Sequence, residues 1–239
     1  MELTASAFKF VDNNALTTIC FVPGWATNAS IYEPLFNRLK TNLIIPHFIN
    51  PYLFQKPLIE FLGSLGNKKT VLLGWSMGGF LCADFFKQQP QCVSQLILAG
   101  MRQKYDRKDI DKIKNLIGKN KTAYLYKFYK DCFSVNESDI YSWFKNNLLK
   151  NYLNEFALSG LVHGLDFLSE AELDLNTIDC SNVTFVHGAE DKIAPYPEFP
   201  NFTGALKQAE VKIIPGAGHA VFLNPVFKLQ KLLFNGKCK

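Results

Sequence analysis

The sequence predicts an α/β domain: a mainly parallel, twisted sheet covered by helices on both faces, with a helical cap inserted between two core strands. Three observations carry this. Short apolar runs alternate with amphipathic stretches before residue 100 and again after residue 182, the pattern of parallel strands joined by helices. Between about Met101 and Asp174 that rhythm gives way to helix-rich, basic and aromatic sequence, too long to be a loop in a compact domain. The 239 residues are 48% hydrophobic and 20% charged, close to globular averages. That balance excludes a disordered, collagen-like or coiled-coil chain, and no apolar run reaches the ~18 residues that span a bilayer. A single domain is expected, with its core in residues 1–100 and 175–239 and its cap in about 101–174.

The elements follow in order. Thr18 to Val22 is a buried strand. Ile31 to Leu39 has apolar residues at 31, 35, 36 and 39, a helical spacing. Leu43-Ile44-Ile45 is a strand ending near Pro46. Leu58 to Leu65 is a short helix, Val71-Leu72-Leu73 a strand, Met77 to Lys87 a helix and Leu96-Ile97-Leu98 a strand. Beyond the cap, Val183 to Val186 and Val211 to Ile214 are strands, and Val221 to Phe234 is a closing helix. Aromatics make up 14% of the chain, with 21 Phe, which implies a large core or a roomy apolar site.

Six cysteines are dispersed at 20, 82, 92, 132, 180 and 238. None forms a C-x-x-C pair, and the N-terminal residues show neither a basic nor an apolar signal region. Reduced thiols and a cytoplasmic location are therefore expected. The net charge of +5 is uneven: residues 102–150 hold twelve Lys/Arg against six Asp/Glu, so the remainder of the chain sums to −1. A basic surface of this kind bears on partners, and a solvated helical face accounts for it equally well. No nucleic-acid motif accompanies it, so neither nucleic acid nor membrane is expected as a partner.

The residues that carry chemistry stand at strand ends. Gly74-Trp75-Ser76-Met77-Gly78 matches G-x-S-x-G directly after an apolar strand and directly before a helix. This arrangement lifts a serine hydroxyl clear of the sheet on a strained turn, and the Met77 amide at the helix N-terminus can face a developing oxyanion. Pro23-Gly24-Trp25, at the end of an early strand, supplies a candidate second amide at Trp25, whose indole could wall the site. A serine nucleophile needs an adjacent base, and the base needs a carboxylate to fix its tautomer. Asp191, in Gly188-Ala189-Glu190-Asp191, and His219, in Gly216-Ala217-Gly218-His219, fit these roles in the chain order Ser, Asp, His. Glu190 is the rival acid. His187 reads as structural, and His47 and His163 as packing or surface residues, with His163 placed to line a pocket. No metal or organic cofactor is required.

With these motifs in place, the chain resembles the α/β-hydrolase superfamily over nearly its whole length. Gly24-Trp25-x-x-Asn28, Gly74-Trp75-Ser76-Met77-Gly78-Gly79, Gly164-Leu165-Asp166-Phe167-Leu168 and Asp174-Leu175 are similar to the pimeloyl-(acyl-carrier protein) methyl ester esterases of biotin synthesis. That resemblance implies substrate contacts at Trp25, Ser76, Met77 and His219, and a cap stretch lining the acyl channel at Phe128, Tyr129, Lys130, Asp131 and Cys132. It implies a serine carboxylesterase; the basic cap would meet an acyl-carrier protein, and a monomer is expected. Two departures stand out: Pro23 where that family has His before Gly-Trp, and a more polar cap stretch. The alternatives are a general short-chain carboxylesterase or thioesterase, a menaquinone-pathway synthase-like lyase, and a non-catalytic ligand-binding receptor on the same fold.

Overall fold

The computed structural model describes residues 7–36, 38–47, 49–66, 70–174, 177–199 and 209–233. Its strands are β1 (Phe8–Val11), β2 (Thr18–Val22), β3 (Asn42–Pro46), β4 (Thr70–Trp75), β5 (Val93–Ala99), β6 (Val183–Gly188) and β7 (Glu210–Ile214). They form one sheet in the order β1-β3-β2-β4-β5-β6-β7. Only the pairing of β1 with β3 is antiparallel; the others are parallel. β4 is buried along its whole length, as a central strand covered on both faces must be.

The strand order sets where a ligand can bind. From β2 the chain passes to β3 on one side, then returns to β4 on the other. The loops leaving β2 and β4 therefore diverge, opening a crevice at their carboxyl ends. Ser76 follows β4 and Pro23-Gly24-Trp25 follows β2, so both motifs border that crevice.

Core helices α1 (Glu33–Phe36), α2 (Gln55–Ser64) and α3 (Met77–Gln88) precede the cap. The helix expected over residues 31–39 is shorter than its spacing suggests. It begins as a 3-10 turn at Ala29–Tyr32, capped by the Asn28 side chain, and α1 ends at Phe36. The closing helix also differs from expectation. Val221–Leu223 is a single 3-10 turn, and a helix, α9, resumes only at Leu229–Leu233. Pro225 is the reason. It lacks an N–H and disfavours helical backbone at the residue before it, and Asn224 is extended at ψ 134. Phe234 lies outside the described residues. β1 is an element the sequence reading did not include; its only signal was the four-residue alternation Phe8-Lys9-Phe10-Val11.

The cap runs between β5 and β6 as α4 (Arg107–Lys119), α5 (Lys121–Asp131), α6 (Ser138–Phe144), a π-helical turn at Lys145–Leu149, α7 (Lys150–Glu155) and α8 (Leu158–Glu170). Asp106 and Asn120 accept from the backbone N–H groups of Lys108 and Ala123, satisfying donors that helix starts leave free. Tyr129, Phe144 and Tyr152 bind the cap together, with ring centroids 5.3–5.8 Å apart. Five of the twelve basic side chains at 102–150 are locally matched. Arg102, Lys104, Lys112, Lys114 and Lys127 pair with acids. Among the described residues, Arg107, Lys108, Lys119, Lys121, Lys130, Lys145 and Lys150 have no ion pair, though Lys121 donates to Phe156 O at 2.8 Å and Lys145 lies over the Tyr141 ring. No helix of the described residues is long and apolar enough to cross a membrane. The five described cysteines are free thiols; Cys238 lies outside the described residues.

Candidate active site

Ser76 stands between β4 and α3 with φ 53 and ψ −119, a left-handed backbone that costs a non-glycine residue roughly 1–3 kcal/mol. Flanking structure holds it there. The Ser76 N–H donates to Ala99 O at 2.9 Å, and Ser76 O accepts from the Gly79 N–H at 2.8 Å. The strain turns the side chain away from both the strand ladder and the helix.

His219 and Asp191 lie in the loops after β7 and β6. The His219 Nδ1 is 2.8 Å from Asp191 Oδ2, and His219 is fully buried. A carboxylate oxygen accepts, so the imidazole proton sits on Nδ1 and Nε2 keeps its lone pair. That Nε2 is buried with no hydrogen-bond partner among the described residues. The other carboxylate oxygen of Asp191 accepts from the N–H groups of Ile193 and Ala194, both at 2.8 Å, which fixes its orientation. The Trp75 indole N–H donates to His219 O at 2.9 Å, so the residue before the serine also anchors the histidine. Gly100, at φ 58, backs onto the ring: a Cβ there would sit 3.1 Å from His219 Nδ1. Ser76 bonds to Ala99 and His219 packs on Gly100, which brings the two side chains to the same end of β5.

The oxyanion candidates border this point. Met77 is the first residue of α3, so its N–H has no acceptor within the helix. A Cβ on Gly24 would lie 3.2 Å from Ser76 Cβ, which sets the Gly24-Trp25 backbone beside the serine. Ala26, next along, has φ 57, and its carbonyl accepts from the Tyr129 hydroxyl at 2.6 Å.

A cavity of about 210 Å³ opens on Ser76, walled by Trp25, Ile110, Ile113, Tyr124, Phe128 and Leu165, with Arg102 and Lys192 also on its lining. A second, of about 360 Å³, lies across the Trp25 indole and includes Met77, His47 and His163. Trp25 thus partitions the crevice, held by its indole N–H to Leu161 O at 2.8 Å and edge-on to Phe128 at 5.1 Å. Burial holds the Tyr124 phenol up at about 12, so it is neutral at working pH.

The expected acyl-channel stretch divides. Phe128 reaches the cavity at Ser76. Tyr129 turns into the core toward Phe144. Lys130 is exposed, Asp131 pairs with Lys127, and the Cys132 carbonyl accepts from the Ala220 N–H at 3.0 Å. Five consecutive helical residues point around the whole axis, so one cavity cannot receive them all. Glu190 lies apart from the histidine and accepts from Asn136 Nδ2 at 2.8 Å. His187 is buried, stacked on Phe199 at 4.2 Å, with Nε2 2.9 Å from Ala194 O. Tyr105 is a site residue the sequence reading missed. Burial raises its phenol above the ordinary value, while hydrogen bonding with Ser76 and the Arg102 charge draw it down. No motif marks it, because it reaches the serine from the cap.

Residues 58–225 match the family model described as serine aminopeptidase, S33. A pimeloyl-(acyl-carrier protein) methyl ester esterase from Wigglesworthia glossinidia brevipalpis is 25% identical, covering 90% of this chain and 91% of that protein. One of the same name from Pseudoalteromonas atlantica is 28% identical over 35% of this chain and 37% of its own. In fold, the chain is similar to an esterase from Exiguobacterium antarcticum (TM-score 0.78, 17% identity, 90% of this chain and 89% of the other). It is equally similar to a hydrolase from Oleispira antarctica (TM-score 0.78, 12% identity, 97% and 95%). Together these show an α/β-hydrolase fold.

Proposed function

The chain belongs to the hydrolase family described as serine aminopeptidase, S33, and from that premise we propose that it is a serine carboxylesterase acting on pimeloyl-(acyl-carrier protein) methyl ester. The observation that carries the serine mechanism is the 2.8 Å bond from His219 to Asp191 beside a serine held at φ 53. Ser76 Oγ attacks the ester carbonyl as His219 Nε2 takes its proton. The carbonyl oxygen becomes an oxyanion facing the amides of Trp25 and Met77. Collapse expels methoxide, which takes the proton from His219 and leaves as methanol. Water, deprotonated by His219, then releases the acid and restores Ser76. Asp191 holds the productive tautomer and stabilises the imidazolium.

The substrate is supported by the names of the two curated relatives, by the apolar cavity at Ser76 and by the unpaired cap lysines. A carrier protein is acidic and its prosthetic group carries a phosphate, which rim lysines would steer. The test has two stages. A fluorophosphonate should label Ser76 in the wild type and not in Ser76→Ala; absence of labelling sinks the serine mechanism. Expression should then restore growth without biotin to an auxotroph lacking its own esterase. Labelling without rescue would favour a short-chain carboxylesterase with another substrate.

A further inference from the structure

We propose that Glu137 is a positioning residue for this reaction, fixing the backbone on which His219 is mounted. The proposal rests on His219 as the base. Glu137 belongs to the cap, in the turn between α5 and α6, yet it is buried to 3% exposure. Its Oε2 accepts from the Ser134 and Gly218 N–H groups, both at 2.9 Å. Its Oε1 accepts from Asn224 Nδ2 at 2.8 Å. One carboxylate thus joins the cap turn, the residue before His219 and the turn that follows it.

The same cap turn holds the loop at alternate residues. Ser134 Oγ donates to Gly216 O at 2.5 Å, Glu137 takes the Gly218 N–H, and the Ala220 N–H donates to Cys132 O at 3.0 Å. Contact is so close that a Cβ on Gly218 would meet Cys132 O at 2.7 Å. The loop bearing His219 is therefore seated on the cap, not on the sheet alone. Asp191 sets the imidazole's tautomer, and Glu137 sets where the imidazole stands. Apolar packing would bury this contact as well, but only directional acceptors define a position. A base misplaced by about 1 Å costs roughly 10²-fold in rate.

Glu137→Gln keeps the volume but exchanges one acceptor oxygen for an NH₂. The amide must then face either two backbone N–H groups or the NH₂ of Asn224, and one side is mismatched. Asn224→Asp in the same chain restores the match, because the amide can donate to the introduced carboxylate, whose second oxygen still accepts from Val226 N–H. Two readouts are taken. With p-nitrophenyl butyrate, kcat per fluorophosphonate-titrated site should fall about 10–100-fold in Glu137→Gln, with KM little changed, and recover in the double variant. Fewer titratable sites at wild-type kcat would show a merely structural role and overturn the proposal. Proton NMR of the His219 Nδ1–H bonded to Asp191 should show its low-field resonance shifted in the single variant and returned in the double. An unmoved resonance overturns the proposal, and this arm is read even if the wild type takes no fluorophosphonate and the esterase reading fails. If Glu137→Gln does not fold, Ser134→Ala leaves Glu137 in place and removes the hydroxyl that donates to Gly216 O and accepts from the Asn136 N–H; the resonance should shift there too, and its constancy is equally fatal.

Discussion

Gly78→Ala should cost both stability and rate, and the structure sizes each loss. Gly78 lies on α3 two residues after Ser76, facing the end of β2. A Cβ there would fall 2.2 Å from Val22 O and 2.5 Å from Pro23 O. Both atoms are backbone, so no side-chain rotation relieves the clash. Helix and strand must part by about 1 Å, which puts the change at the upper end of the ~1–3 kcal/mol range for overpacking. For a domain of this size ~3 kcal/mol corresponds to a fall in Tm of about 6–12 °C. The same shift moves the Met77 amide away from the Trp25 segment, so kcat in the folded fraction should drop roughly 10²-fold. Gly118→Ala is the control. Gly118 lies in α4 with nothing within 4 Å of its Cβ position, and the change should stabilise the helix by about 0.5–1 kcal/mol. Thermal melts with parallel ester hydrolysis measure both. A Gly78→Ala protein melting within 2 °C of wild type at full rate, a window of about 1 kcal/mol, would refute the argument that strand–helix contact sets the elbow.

Ser76→Ala should stay folded and lose roughly 10⁴–10⁶-fold in kcat; survival of more than about a tenth of the activity would exclude Ser76 as nucleophile. Asp191→Asn should cost about 10⁴-fold by presenting the wrong tautomer, and Glu190→Gln little, so a side-by-side assay giving the reverse order would move the acid to Glu190. Burial lowers the His187 pKa from its ordinary 6.5, and its Nδ1 has no partner among the described residues. Below about pH 6.5 the unfolded chain therefore binds the extra proton and stability falls, by at most ~1.4 kcal/mol per pH unit until the folded value is passed. Urea titrations across that window should show a shallower slope for His187→Gln, and an identical slope would remove His187 as the cause. Reversing Lys119, Lys130 and Lys150 together should slow hydrolysis of a carrier-bound ester, more so at low salt, while sparing p-nitrophenyl butyrate; equal loss on both substrates would point to cap damage instead.

Several features were legible because short stretches of chain decide them. Ser76 reads as a nucleophile since the strand before it and the helix after it force the turn, and both announce themselves in Val71 to Gly79. Asp191 and His219 were readable for a related reason: in a parallel sheet, residues just past strand ends converge on one edge. The cap was visible as an interruption, but not that Phe128 is the one residue of 128–132 to line the cavity at Ser76, because helical phase against the core decides which of them turns inward. Tyr105, Gly100 and Glu137 carry no local signal. Gly100 makes room for a ring 119 positions further along, and Glu137 accepts from partners 81 and 87 positions away. Their meaning depends on which segments meet. A lone buried carboxylate is costly unless donors surround it, and only the packed fold gathers Ser134, Gly218 and Asn224 around Glu137.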